Sequence, residues 1–349
     1  MNISRLHLTH FRNHADREFV FDPNVTIISG PNGSGKTNIL EAIYVLATGK
    51  SFRDGDDDLT QYNQQWWKVR GEFDGELREV RYQDEMKSLI IGDSGERKRF
   101  SKSHRIPVVL FEPDDLYLIH GSPSARRKYI DAVIAVVTPG YATTLRRYER
   151  ALAQRNRLLK SSCAINEDEL FVWDIMLAEQ AEVIVLHRRA LVHQWNNKLS
   201  DEYSLLSGRA HTIAAHYCCN IRKNGYKQAL LSHLKNTIHH DRMVGSTSIG
   251  PHRDDIEFFC DNQSFATSGS RGEIRSLLLA LTFYEALLIR NNFHQNPIML
   301  FDDVFSELDH QRQVLFIERA SQQGQCIVSS VERTHGLISP VSMLLLGQV

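Results

Sequence analysis

The octapeptide "GPNGSGKT", Gly30 to Thr37, constrains the fold of this chain more than any other stretch. It satisfies G-x-x-x-x-G-K-[ST] at every fixed position. It follows the β-rich run "VTIIS" and opens a segment with helical spacing at Ile39, Ile43 and Leu46. A strand, a glycine-rich loop and a helix in that order turn backbone N–H groups and a helix N-terminus toward an anion. Gly30, Pro31, Asn32, Gly33, Ser34 and Gly35 are therefore the expected phosphate cradle. Lys36 is placed to reach the β- and γ-phosphates, and Thr37 to offer its hydroxyl to magnesium. The loop implies a bound nucleoside triphosphate in an α/β core. It leaves open what the energy serves, since kinases, GTPases, transporters and DNA enzymes all carry one.

A phosphate loop needs a carboxylate at the end of a neighbouring strand. "PIMLFDDVFSELDH", 297–310, supplies two, Asp302 and Asp303, directly after an apolar run. Asp302 is the expected magnesium ligand. Asp303 is placed to orient or deprotonate the attacking water. Adjacent carboxylates repel unless a cation lies nearby, and bound magnesium provides one. Lys36 and Asp302 sit near opposite ends of a 349-residue chain, so a long insertion divides the two halves of one site.

The organisation along the chain agrees. Residues 1 to about 113 read as strands with one early helix. Residues 114–240 change to long amphipathic helical runs with basic residues between the apolar positions. Residues 241–349 return to alternating strands and helices. A discontinuous head, 1–113 and 241–349, with an inserted helical arm, 114–240, is the expected division. A net charge of −1 excludes a global basic field, so any DNA surface is local. Five cysteines without C-x-x-C, and histidines without ligand spacing, argue against a zinc ribbon or a disulfide framework. The N-terminus lacks a signal-peptide core and no run is apolar enough to span a bilayer. A cytoplasmic location without a membrane partner is the expectation.

The wide separation of loop and carboxylates resembles the SMC-like branch of ABC ATPases. Ser270-Arg271-Gly272-Glu273 resembles the signature loop of that branch and opens a strongly apolar helix. The resemblance implies that Ser270, Gly272 and Glu273 act on the nucleotide of a second copy in an ATP-dependent homodimer. It also implies that "SELD", with Glu307 and Asp309, crosses the dimer interface, and that Ser329 in "CIVSS" senses the γ-phosphate. "LTHFRNH", "GKSFRD", "VVLFEPDDLYLIHGSPSARRKYID", "SIGPHRDDIEF" and "MLFDDVFSELD" together are similar to motifs of the RecF family, over almost the whole chain. Ile274 departs from the glutamine-rich signature of that family. The family resemblance implies an α/β head of ABC-ATPase and SMC type, two-lobed with mixed sheets, carrying an arm. It implies ATP and Mg2+ as cofactors and weak, DNA-stimulated ATP hydrolysis. It implies binding at gaps and double-strand/single-strand junctions, and action with RecO and RecR to promote RecA loading. An SMC-like repair ATPase with a different DNA-processing role is the alternative.

Basic clusters support a local DNA surface: Arg97, Lys98, Arg99, Lys102 and Arg105, then Arg126, Arg127 and Lys128, Arg146, Arg147 and Arg150, and Arg155, Arg157 and Lys160. Such residues would meet phosphates rather than bases. The acidic run "DGDDD", 54–58, reads as a solvated turn.

Overall fold

The computed structural model describes residues 1–92, 94–97, 100–161, 167–221, 225–331 and 341–347. Two units divide the chain: residues 1–115, 202–210 and 271–349 form the first, and 116–201 with 211–270 the second. The elements in chain order are β1 (Ile3–Phe11), β2 (His14–Val20), β3 (Val25–Ser29), α1 (Lys36–Thr48), β4 (Trp66–Phe73), β5 (Glu76–Gln83), β6 (Met86–Ile91), β7 (Ser94–Arg97) and β8 (Val108–Phe111). There follow α2 (Tyr117–His120), α3 (Pro123–Val137), α4 (Tyr141–Leu159), α5 (Glu167–Ser207), β9 (Ile213–Cys218), α6 (Tyr226–Asn236) and α7 (Ile238–Val244). Last come β10 (Asp255–Cys260), β11 (Gln263–Ser264), α8 (Phe265–Ser268), α9 (Arg271–Phe293), β12 (Ile298–Phe301), α10 (His310–Ser321), β13 (Cys326–Ser330) and β14 (Val341–Leu345).

The first unit holds two sheets. One is antiparallel, in the order β2-β1-β4-β5-β6-β7, and the other is parallel, in the order β14-β3-β13-β12-β8. β3, β12 and β13 are buried along their whole length, as parallel strands covered on both faces must be. Residues of both sheets and of α1 form one apolar core. Ile39, Leu40, Ile43, Val45 and Leu46 leave α1 with apolar residues on more than one face, which suits a helix lying between two layers. Phe283 of α9 and Phe316 of α10 pack on Phe301, with ring centroids 5.6 and 4.9 Å away. Arg319 of α10 pairs with Glu202 near the end of α5 at 2.7 and 2.9 Å.

The second unit combines α2–α4 and most of α5 with a three-stranded antiparallel sheet, β11-β10-β9. This differs from the expected helical arm of 114–240. The strand at Asp255–Cys260 pairs with β9 and so belongs with the second unit, whose boundary falls at Ser270. Residues 202–210, at the end of α5, belong with the first unit. The "FVFD" strand ends earlier than its composition suggests, at Val20.

Buried ion pairs lock the second unit. Arg155 is fully buried and donates to Asp174 at 2.6 Å and to Asp241 at 2.8 Å. Arg188 donates to both oxygens of Asp131 at 2.8 and 2.7 Å. Arg126 forks onto Asp255 at 2.7 and 2.9 Å, and Arg127 donates to the Asp254 carbonyl. Three arginines assigned to a DNA surface from sequence are thus engaged inside the unit, because carboxylates on other elements claim Arg126 and Arg155 and the carbonyl of Asp254, just before β10, claims Arg127. Arg146, Arg147, Arg150, Arg157 and Lys160 of α4 and its C-cap remain exposed. Lys98 and Arg99, and the side chains of Arg97, Lys102 and Glu307, lie outside the described residues. Among the described residues no helix is long and apolar enough to cross a membrane.

Removing one partner of a buried ion network leaves an uncompensated charge. Arg155→Ala strands both Asp174 and Asp241, and is expected to lower the stability of the second unit by roughly 3–5 kcal/mol. Urea unfolding of the full chain would read this as one transition moving to lower denaturant; an unmoved transition would refute it.

Candidate nucleotide site

The site is built where β3, β13 and β12 end side by side. Ser329 of β13 pairs in register with Ile28 of β3, and Val328 with Phe301 of β12. The loop leaving β3 and the carboxylates leaving β12 therefore meet across the end of β13. Thr37 Oγ1 lies 3.0 and 2.9 Å from the two Asp302 oxygens. Ser329 Oγ donates to Asp302 Oδ1 at 2.6 Å and accepts the Asp303 N–H at 2.8 Å. Asp303 sits at φ 46, a left-handed conformation costly for a residue with a Cβ. Its peptide is held from both sides, since Arg275 donates to its carbonyl oxygen. Arg275 is fully buried in α9, with its guanidinium over the Phe111 ring.

The loop itself is tightly seated. Lys36 Nζ donates to the Gly30 and Pro31 carbonyls at 2.8 and 2.9 Å. Burial pushes the Lys36 pKa below its ordinary value, against the opposing pull of Asp303 and Asp302. Gly35 lies at φ 91, and a Cβ there would come within 2.5 Å of Asn13 and His14 side-chain atoms. A Cβ on Gly30 would meet the Leu346 carbonyl at 2.9 Å. Ser34 Oγ is buried without a hydrogen-bond partner among the described residues. Asn32, Gly33, Gly35, Lys36, Thr37, Arg53, Asp302, Asp303 and Ser329 line a cavity of about 350 Å³. A larger cavity, about 890 Å³, belongs to the second unit and shares no residue with it.

The structure thus brings the loop, both aspartates and Ser329 together. Gly272 and Glu273 occupy the first turn of α9 and do not line the cavity, while Ser270 is the last residue of the second unit. Ile274, the departure from the signature pattern, is fully buried. Asp309 caps α10, accepting the Arg312 N–H at 2.8 Å.

Several supporting residues were not assigned a role from sequence. Asn13 donates to the Gly33 carbonyl, and the His14 ring lies 3.2 Å from the Gly35 carbonyl. Burial lowers the His14 pKa. Arg12 forks onto the fully buried Glu41 at 2.8 Å and reaches Asp54 at 2.5 Å. "FRNH" is therefore a brace for the phosphate loop. Its only sequence signal is the family pattern, since a hairpin turn shows no phosphate chemistry of its own. The acidic run is largely exposed, as a solvated turn should be, yet its acids are paired: Asp54 takes Arg12, Asp56 takes Lys87 at 2.6 and 2.7 Å, and Asp57 takes the Tyr82 hydroxyl.

Comparisons with known proteins bear on the family and the fold. A family profile described as an AAA domain matches residues 5–118. The chain is 34% identical over 343 residues to the DNA replication and repair protein RecF of Streptococcus thermophilus, covering 96% of this chain and 93% of that protein. It is also similar to a solved structure described as the recombination mediator protein RecF-ATP in the RecFOR pathway. That match has TM-score 0.81 and 27% identity, covering 95% of this chain and 92% of that one. An Smc head bound to the C-winged helix domain of ScpA shares the fold at TM-score 0.52 and 20% identity, covering 95% and 89%. The α/β head of SMC type expected from the sequence is the fold observed.

Glu112, which feels the Asp302 charge, and Asp115 and Glu285 carry raised pKa values. Burial, then the neighbouring Asp115, Asp302 and Asp114 charges, pushes Glu112 up to about 7. Burial pushes Asp115 up to about 6 and, with Asp115 nearby, Glu285 up to about 7. Folded values above the ordinary 3.8 and 4.5 mean that the folded unit binds more protons than the unfolded chain. Their contribution to stability is complete below those ordinary values and is lost as the pH rises through about 6 to 7. Glu285→Gln should therefore raise the melting temperature relative to the unmodified chain at about pH 8, with the difference shrinking toward about pH 5. An equal difference at both pH values would contradict this.

Proposed function

The chain belongs to the RecF family of DNA replication and repair proteins, and from that membership we propose that it is an ATP-gated DNA-binding protein of recombinational repair. The observation that carries the proposal is the contact of Thr37 with both Asp302 oxygens, which joins residues 265 apart in sequence into one site. ATP would lie along the loop with its phosphates against the N-terminus of α1 and Lys36.

The donor set fits magnesium as well as the nucleotide. Thr37 and Asp302 offer hard oxygen atoms, and Gly30 and Gly35 of the cradle sit where a Cβ would collide with neighbouring atoms. Thr37 and Asp302 would hold the ion, which when bound would neutralise charge on the phosphates. Asp303 would orient the attacking water and accept its proton. The bonds from Ser329 and Arg275 to the Asp303 N–H and carbonyl hold the backbone from which that carboxylate projects, which supports the assignment.

Ser270, Gly272 and Glu273 would serve the nucleotide of a second copy, at the N-terminus of the long helix α9. Two copies would then close on two nucleotides, and slow hydrolysis would reset the dimer. The exposed stripe Arg146, Arg150 and Arg157 on α4 suits phosphate contacts at gapped duplexes, with little base specificity and a steep dependence on salt. Family membership supports action with RecO and RecR to promote RecA loading.

Asp303→Asn removes the proposed base while leaving the loop intact. It should bind ATP as the unmodified chain does, hydrolyse it about 10²–10⁴-fold more slowly and persist as an ATP-dependent dimer. That dimer should hold gapped duplex longer than the unmodified chain does. Sedimentation that finds the variant monomeric with ATP, or gapped-DNA binding indifferent to ATP, would sink the scheme.

A further inference from the structure

One end of the three-stranded sheet in the second unit gathers three metal-ligating side chains that the nucleotide site does not use. His211 precedes β9, Cys260 ends β10, and Asp261 opens the turn into β11. One donor atom of each lies within 4.8 Å of the other two. Backbone pairing fixes this convergence. Cys260 stands in register with Ile213 on one side and Gln263 on the other. The Asp261 N–H donates to the Thr212 carbonyl at 2.9 Å, and the Thr212 N–H donates to Asp261 Oδ1 at 2.9 Å. Asp261 and Asn262, at φ 47 and 67, make the two-residue turn that a twisted hairpin favours. His211 Nδ1 lies 2.7 Å from Asp261 Oδ2. The His211 and Asp261 side chains are 27% and 56% exposed, so an ion reaches them from solvent.

We propose that His211, Cys260 and Asp261 bind a borderline-soft divalent transition-metal ion, zinc above all, clamping the segment before β9 to the β10–β11 turn. A sulfur and a nitrogen donor select this class over magnesium or calcium, which take oxygen. Three protein donors leave a fourth position for water. On binding, the Cys260 thiol proton leaves to solvent and the thiolate becomes the ligand. No spacing in the sequence reveals the site, because His211 and Cys260 meet only through the pairing of β9 with β10. The site is independent of the nucleotide reading.

A histidine–aspartate ion pair would need no sulfur, so the test reads the sulfur. The full chain, without a histidine tag and stripped with EDTA, is titrated with Co2+ and then Zn2+. One Co2+ per chain should bind with a thiolate-to-cobalt charge-transfer band in the near ultraviolet, and Zn2+ should abolish it. Cys260→Ser should lose the band, while the double variant Cys218→Ser, Cys219→Ser keeps it. His211→Ala should weaken Co2+ binding by at least about 10–100-fold, the loss that removing a residue which merely orients a ligand already causes. Circular dichroism of each variant matching the unmodified chain establishes that it is folded. A band surviving Cys260→Ser, cobalt bound without a thiolate band, or no cobalt bound would each overturn the proposal.

Discussion

The Asp302 carboxylate is the joint on which the first unit turns. Its two oxygens take the Thr37 hydroxyl, and one of them also takes Ser329. These three residues come from the ends of three adjacent elements: the loop after β3, the strand β13 and the end of β12. The strand order β3-β13-β12 makes the contact possible, because it places the end of β13 between the other two. Chain entering at β3 must leave, build the second unit and return as β12 before the site exists. The second unit is inserted between β8 and β12, so the two halves of the site are far apart in sequence and neighbours in the sheet.

The motifs shared with the family divide into two physical kinds. Some carry the site: the phosphate loop, the paired aspartates and Ser329. Others hold elements in place. "FRNH" braces the loop through Asn13, His14 and the Arg12–Glu41 pair. "GPHRDD" and the two arginines of "SARRKY" are wired to each other inside the second unit, with Asp255 taking Arg126 and the Asp254 carbonyl taking Arg127. His252 lies 2.5 Å from the Tyr148 hydroxyl in the same network. Burial lowers the His252 pKa to about 4, keeping it neutral where a charge would go unpaired. A motif that looks functional in a sequence can thus be a structural clasp.

Periodicity and motif spacing made the parallel core legible. "VTIIS", "IMLF" and "CIVSS" are buried strands, and the helices flanking them were expected from apolar spacing. β9 was hidden because "IAAHYC" carries little alternation and sits among helical runs. The second unit extends to Ser270 because β10 needs β9 as a partner, a pairing that no local pattern announces. Arg155 resembles its exposed neighbours in sequence, yet its carboxylate partners stand on α5 and α7. Charge in a sequence states a sign, and only the fold states which side chain answers it.

If Ser270 serves the nucleotide of a second copy, as proposed, two defective variants should complement each other. Ser270→Arg spoils the surface offered to the partner, and Asp303→Asn spoils the copy's own site. Mixed in equal amounts with ATP and gapped DNA, half of the dimers would be hybrids and one of their two sites would be unaltered. Single-turnover hydrolysis should return to about a quarter of the unmodified level, although each variant alone hydrolyses ATP far more slowly. A mixture no more active than the separate variants would contradict it.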